Sequence, residues 1–160
     1  VRASLFYCTG IRGRLKAMKK IITLTALCVV VASIATWYWR GTGDKVTHEI
    51  KLDGHSLTVE FARTPDEHTR GLMYRHELAE NAGMLFLFTE AGQKTFWNKN
   101  TLIPLDVIWL YNDQVVGVGQ LPAIDAGLTT IISPPNTNRV LEVNRGWAER
   151  HGVQIGARMW

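Results

Sequence analysis

The chain has 160 residues and a formal net charge of +4, but residues 1–40 hold seven basic side chains and no acid, leaving 11 basic and 14 acidic residues in 41–160. Nucleic-acid affinity rests on neutralising phosphates, so an acidic remainder without a basic run argues against nucleic acid as a partner. Both cysteines, Cys8 and Cys28, fall before residue 41, which excludes disulfide staples and thiolate catalysis beyond that point.

The basic excess belongs to targeting. Met18-Lys19-Lys20 precedes an uncharged apolar run at 21–39, close to the ~20 residues needed to span a bilayer. Residues 18–40 therefore read as a signal peptide or a membrane anchor, and 1–17 as an over-extended gene start with Met18 the first residue. Ser33-Ile34-Ala35 offers small residues for cleavage, whereas Trp37-Tyr38-Trp39-Arg40 looks like an interfacial aromatic belt. Both alternatives place 41–160 outside the cytoplasm, in the periplasm or cell envelope, tethered to the membrane if the segment is uncleaved. Leu27 beside Cys28 fits a lipoprotein cleavage site badly. The remaining residues suffice for one hydrophobic core without staples, so 41–160 is predicted to be a single domain.

Within it, Val46, His48, Ile50 and Leu52 alternate against Thr47, Glu49 and Lys51, the pattern of a half-buried strand. Asp53-Gly54 then supplies a hairpin turn that needs positive φ, and Leu57, Val59 and Phe61 alternate in the returning strand. Thr64-Pro65-Asp66-Glu67 combines an N-cap, a first-turn proline and a capping-box Glu. A short helix is expected to start there and loosen near Gly71. After the Asn81-Ala82-Gly83 turn, the continuous apolar run Met84 to Phe88 predicts a buried strand. Phe96-Trp97 and Leu105 to Tyr111 follow as strands around Pro104, which cannot donate to a ladder. Asn112-Asp113 turns the chain into a strand at 115–121. A Pro-containing loop at 122–138 holds an irregular strand near 129–132, and 140–143 forms another strand. Residues 147–151 make at most a helical turn before 153–159 close the domain. Many short strands with one or two short helices predict a mainly β fold, a compact β-sandwich or barrel.

Four motifs occur in order: G-L-M-x-R at 71–75, G-M-L-F-x-F at 83–88, F-W-x-K-N-T-x-I-P-L-D at 96–106, and V-L-E-V at 140–143 followed by Gly146. Together they resemble the exported bacterial and archaeal family known as domain of unknown function 192, over about residues 45–158. The resemblance implies a jelly-roll-like β domain and brings no reaction with it. Two positions depart from the family pattern. Asn98 stands where the family usually has Met, and Gly156-Ala157 where it often has Gly-Asp. An Asn facing the core needs hydrogen-bond partners or costs on the order of 1–3 kcal/mol; facing a pocket, it alters ligand preference.

The dense polar patch between the apolar strands is the expected site. Alternation puts Leu105, Val107 and Trp109 on one strand face and Asp106, Ile108 and Leu110 on the other. Both faces are apolar, so Asp106 is expected to be buried and to need a partner, with Lys99 and Arg75 the available cations. Asp106 is either half of a structural pair or the floor of a ligand pocket. Trp97 beside Lys99, Asn100 and Thr101 offers a stacking face next to donors, suited to a sugar or another polar ring, unless it is simply core. Arg75 offers a bidentate clamp for a carboxylate or phosphate, or an ion pair with Glu77. The candidate ligand-binding residues are thus Arg75, Trp97, Lys99, Asn100, Thr101 and Asp106.

His48, His55, His68 and His76, with Met73 and Met84, show no metal-ligand spacing, so neither a metal nor another cofactor is expected. The sequence contains no nucleophile elbow and no phosphate loop. The favoured expectation is a non-catalytic binding or accessory module for a small polar ligand or an envelope protein. One alternative is a small envelope hydrolase with Asp106 as general base, paired with Glu60 or Glu142. Another is a partner-binding scaffold with an exposed apolar patch.

Overall fold

The computed structural model describes residues 46–160, together with Cys28 and Val29. The expected signal or anchor segment at 18–40 and the extended start at 1–17 lie otherwise outside the described residues. Val46–Trp160 forms one compact unit by its internal contacts.

Eight strands carry it: β1 (Thr47–Leu52), β2 (His55–Ala62), β3 (Ala82–Gly92), β4 (Thr95–Trp97), β5 (Leu105–Tyr111), β6 (Gln114–Leu121), β7 (Thr130–Ile132) and β8 (Thr137–Asn144). Two short helices, α1 (Pro65–Arg70) and α2 (Trp147–Arg150), and a 3-10 turn at Ile124–Ala126 complete the domain. The prediction of a mainly β fold with one or two short helices holds. Six strands form one sheet in the order β1-β2-β3-β8-β5-β6, and β4 pairs with β7 in a two-stranded ribbon. The ribbon lies over the main sheet. Phe96 of β4 meets Trp109 of β5 edge-on at 5.4 Å between centroids, and the Ile131 side chain of β7 covers the backbone of Gly119 in β6.

The two sheet edges are tied together by the C-terminus. Lys51 and Asp53 at the end of β1 exchange backbone bonds with Trp160 and Arg158, while Val115 of β6 bonds Ala157 and Gly156. These are isolated bridges at one end, not a strand-to-strand closure, so the sheet is a sandwich-like layer and not a closed barrel.

Local chemistry explains the elements. Asp53 and Gly54 both take positive φ, 51° and 85°, as a two-residue type I′ hairpin requires. Thr64 accepts from the Glu67 N–H while the Glu67 carboxylate accepts from the Thr64 N–H, a complete capping box. The hydrogen bonds from the Arg63 and Thr64 N–H groups hold the exposed Glu67 carboxyl below its ordinary value. β2 and β3 run parallel, with α1 in the crossover between them. The hairpin face expected to be wet is therefore wet only in part: Ala62 is fully buried beneath the crossover, and Glu60 is mostly covered.

β5 is buried along six of its seven residues, because the sheet has a core on each face. One face packs Ile50, Leu57, Val59, Ile108, Leu110 and Leu141 around Trp147 of α2. The other packs Ala62, Leu72, Phe86, Leu105, Val107 and Trp109. Gly83 lets β3 and β8 close up, since a Cβ there would sit 2.6 Å from the Glu142 carbonyl oxygen.

Candidate functional site

The register across the central strands decides where the acids point. Asp106 of β5 lies opposite Val143 of β8, and Val107 lies opposite Glu142. Directly paired residues share a face, so Asp106 and Glu142 project from opposite sides of the sheet. They cannot form a catalytic pair.

Asp106 faces the Trp147 core and is 1% exposed. Its Oδ2 accepts the Ala148 N–H in the first turn of α2 at 3.0 Å. Its Oδ1 accepts from Gln120 Nε2 at 3.4 Å, with Arg145 Nε at 4.0 Å. This arrangement anchors α2 to the sheet; the cations are not Lys99 and Arg75. The groups that hydrogen-bond or pair with it include no carboxylate and no histidine, which a general base in the hydrolase alternative requires.

The opposite face carries the cavity. It has a volume of about 110 Å³ and lies between α1, the 71–73 turn, β3, β4 and β8. Glu142 forms its floor, Phe86, Phe88, Phe96 and Trp97 its walls, and His68 one rim. The rings support one another: Phe86 and Phe96 meet edge-on at 4.9 Å, and His68 lies 4.4 Å from Phe88. Gly71, at φ 45°, keeps the wall beside the acid bare; a Cβ there would reach 3.3 Å from the Phe86 ring and 3.8 Å from Glu142 Oε2.

Glu142 is 4% exposed, and no hydrogen bond from a described residue reaches its carboxyl. Burial pushes that carboxyl up from 4.5 to about 8, against an opposing pull from the Arg75 guanidinium. Near neutral pH it is a protonated acid, able both to donate and to accept. Arg75 itself is committed elsewhere. It grips Glu60 bidentately at 2.6 and 2.7 Å, not Glu77. Glu60 and Glu142 flank Met84 across β2, β3 and β8, which puts their Cα atoms about 10 Å apart.

The six sequence-derived candidates thus separate. Trp97, 43% exposed, and Thr101, 5% exposed, line the cavity. Lys99 lies outside it with its ammonium over the Trp97 ring, 5.1 Å from the centroid. Asn100, at φ 55°, braces a turn; its backbone carbonyl accepts the Tyr74 N–H, and its Nδ2 donates to the Tyr74 hydroxyl. Arg75 reaches Glu142 only through its charge, and Asp106 is on the far face. The cavity residue that the sequence offered only as a partner for Asp106 in the hydrolase alternative, and not as a ligand-binding candidate, is Glu142. Its signal was present, an acid inside the apolar strand Val140-Leu141-Glu142-Val143, of the same kind as that of Asp106.

The metal candidates scatter. His48 stacks on Phe61, His55 and His151 meet edge-on beside Trp147, and Met84 is core. Among the described residues no three His, Cys, Asp or Glu side chains converge.

The sequence model of domain of unknown function 192, described as "Uncharacterized ACR", matches residues 47–160. The chain belongs to this family. Two of the solved structures that resemble it show how far the likeness extends. One, from Novosphingobium aromaticivorans DSM 12444, is a protein of unknown function with 34% identity and a TM-score of 0.66, over 71% of this chain and 84% of that one. The other, from Sinorhizobium meliloti 1021, is described as a "putative transcription regulator", with 32% identity and a TM-score of 0.67, over 74% of this chain and 95% of that one. No curated protein matches the chain.

The two expectations for Asn98, core or pocket, are decided by its contacts. Asn98 is fully buried and makes four bonds: Nδ2 to the carbonyls of Pro122 at 3.0 Å, Ala123 at 3.4 Å and Gly127 at 2.8 Å, and Oδ1 from the Thr129 N–H at 2.7 Å. It staples the 122–129 loop under β4 and does not face the cavity.

Proposed function

We propose that residues 46–160 are a small-ligand-binding module whose site is the cavity over Glu142. One observation carries the reading: a buried carboxyl with no hydrogen bond from the described chain, at the floor of an aromatic cavity. Such a group costs several kcal/mol to bury, and a ligand that bonds to it recovers part of that penalty. The cavity volume suits a compact group of a few heavy atoms, with the aromatic walls supplying contact area. The apolar run at 21–39, read as a signal or anchor, supports a place for this module outside the cytoplasm. The regulator description belongs to the Sinorhizobium protein. The acidic balance of 41–160 gives no support for carrying nucleic-acid binding over to this chain.

The test is a set of amide and indole NMR spectra of the 160-residue chain with neutral polar, anionic and cationic fragments. The expected result is a saturable shift confined to Gly71, Phe86, Phe96 and the Trp97 indole with at least one class. Saturable shifts with no class, or shifts centred on Asp106, would overturn the reading.

A further inference from the structure

The geometry points to a compact alkylammonium group as the ligand, with the Glu142 carboxylate as its counter-ion and the Phe88, Phe96 and Trp97 rings around its head. This deepens the binding reading above and rests on it.

Three features converge. The first is the acid itself, buried to 4% exposure and aimed into the cavity. A carboxylate there needs a cation or a donor set to remain charged, and the described chain places neither against it at hydrogen-bond distance. The second is the wall. Aromatic faces attract cations through the ring quadrupole, and the chain already uses two of these rings that way. Lys94 Nζ lies 4.5 Å from the Phe88 centroid and Lys99 Nζ 5.1 Å from that of Trp97. The third is volume, about 110 Å³, which admits a short alkylammonium.

Besides Lys94 and Lys99 over the Phe88 and Trp97 rings, the charges around the acid lie on α1 and the loop after it. On the loop after α1, Arg75 is neutralised by Glu60 of β2 at 2.6 and 2.7 Å. On α1, His68 Nε2 donates to the Ala62 carbonyl at 3.0 Å, and Arg70 lines the cavity with its side chain exposed to solvent, where its charge is screened. The cavity-lining residues of β3 and β4 are not ionisable. Binding therefore has a proton balance: the ammonium arrives charged, the Glu142 carboxyl ionises, and its proton goes to solvent. With that carboxyl titrating at about 8, about 0.9 proton should be released per ligand at pH 7.

The experiment is isothermal titration of the 160-residue chain with n-butylammonium, and with n-butanol as the neutral isostere, from about pH 6 to pH 9 in buffers of differing ionisation enthalpy. The expected affinity for n-butylammonium rises close to tenfold per pH unit below about 8 and flattens above it, with proton release at pH 7. In Glu142→Gln the slope disappears and the ammonium affinity falls about tenfold or more, while n-butanol is little affected. The Gln variant keeps His68 in place, so loss of the slope assigns it to Glu142. Equal binding of the two probes, absence of proton release, or cavity binding by neutral fragments with none by ammonium would overturn the inference and leave the binding module standing. Silence from every fragment in the spectra would overturn both.

Discussion

Replacing Glu142 with Gln should change how stability depends on pH, in a direction fixed by the sign of the linkage. In the folded chain burial pushes the Glu142 carboxyl from 4.5 to about 8. Below pH 4.5 folded and unfolded chains both hold the proton, and the group contributes no difference. Between 4.5 and 8 the folded chain keeps a proton that the unfolded chain releases, so unfolding becomes easier as pH rises. The loss is about 1.4 kcal/mol per pH unit, on the order of 5 kcal/mol across the whole window, after which it levels off. Gln has no proton to lose. The assay is urea unfolding of both chains at about pH 5, 6, 7 and 8, read as midpoint times slope with the slope unchanged. Titrations elsewhere in the molecule cancel in the difference. The wild type should lose stability relative to Glu142→Gln at each step upward. Parallel curves for the two chains, or a wild type that gains on the variant with rising pH, would refute the assignment of a buried, protonated acid at this position.

Other substitutions probe the frame around the cavity. Asn98→Ala removes every side-chain bond to the 122–129 loop and should destabilise by about 3 kcal/mol in denaturant unfolding; a change within experimental error would show that the loop does not depend on the staple. Asp106→Ala should cost about 2 kcal/mol by freeing the first turn of α2, yet leave fragment shifts at Gly71 and Phe96 intact because it lies on the other face; loss of those shifts in a folded variant would return Asp106 to the site. Gly83→Ala forces a Cβ against the Glu142 carbonyl at 2.6 Å, where only backbone can yield, and should cost about 3 kcal/mol or prevent folding; normal stability would contradict the close approach of β3 and β8. Arg75→Met removes the cation that opposes the burial effect on Glu142, so the carboxyl should titrate higher still in carbon NMR, with a fall showing that the sign is wrong.

Much of the fold was legible because its signals are local. The Asp53-Gly54 turn, the Thr64–Glu67 capping box and the face alternation of Leu105 to Leu110 each depend on a few neighbouring residues, and the structure has them as the pattern predicts. Pairing is not local. Nothing within 46–62 or 82–92 announces that β2 and β3 run parallel, yet that pairing puts Glu60, Met84 and Glu142 in one row and covers Ala62. The site was half legible for the same reason. Trp97 and Thr101 stand in the cavity, but two acids with the same sequence signature, Asp106 and Glu142, have opposite fates. Only the position of α2 shows that Asp106 is occupied by the Ala148 N–H and Glu142 is not. Asn98 was read as either core or pocket, and the partners that settle it come from a loop more than twenty residues away.

The most direct single measurement is a carbon NMR titration of the Glu142 side-chain carboxyl in the 160-residue chain, alone and with saturating n-butylammonium. The midpoint should lie near 8 in the free chain and move clearly downward when the ammonium is bound. A free-chain midpoint near 4.5, or one that no cavity ligand moves, would contradict the proposed site.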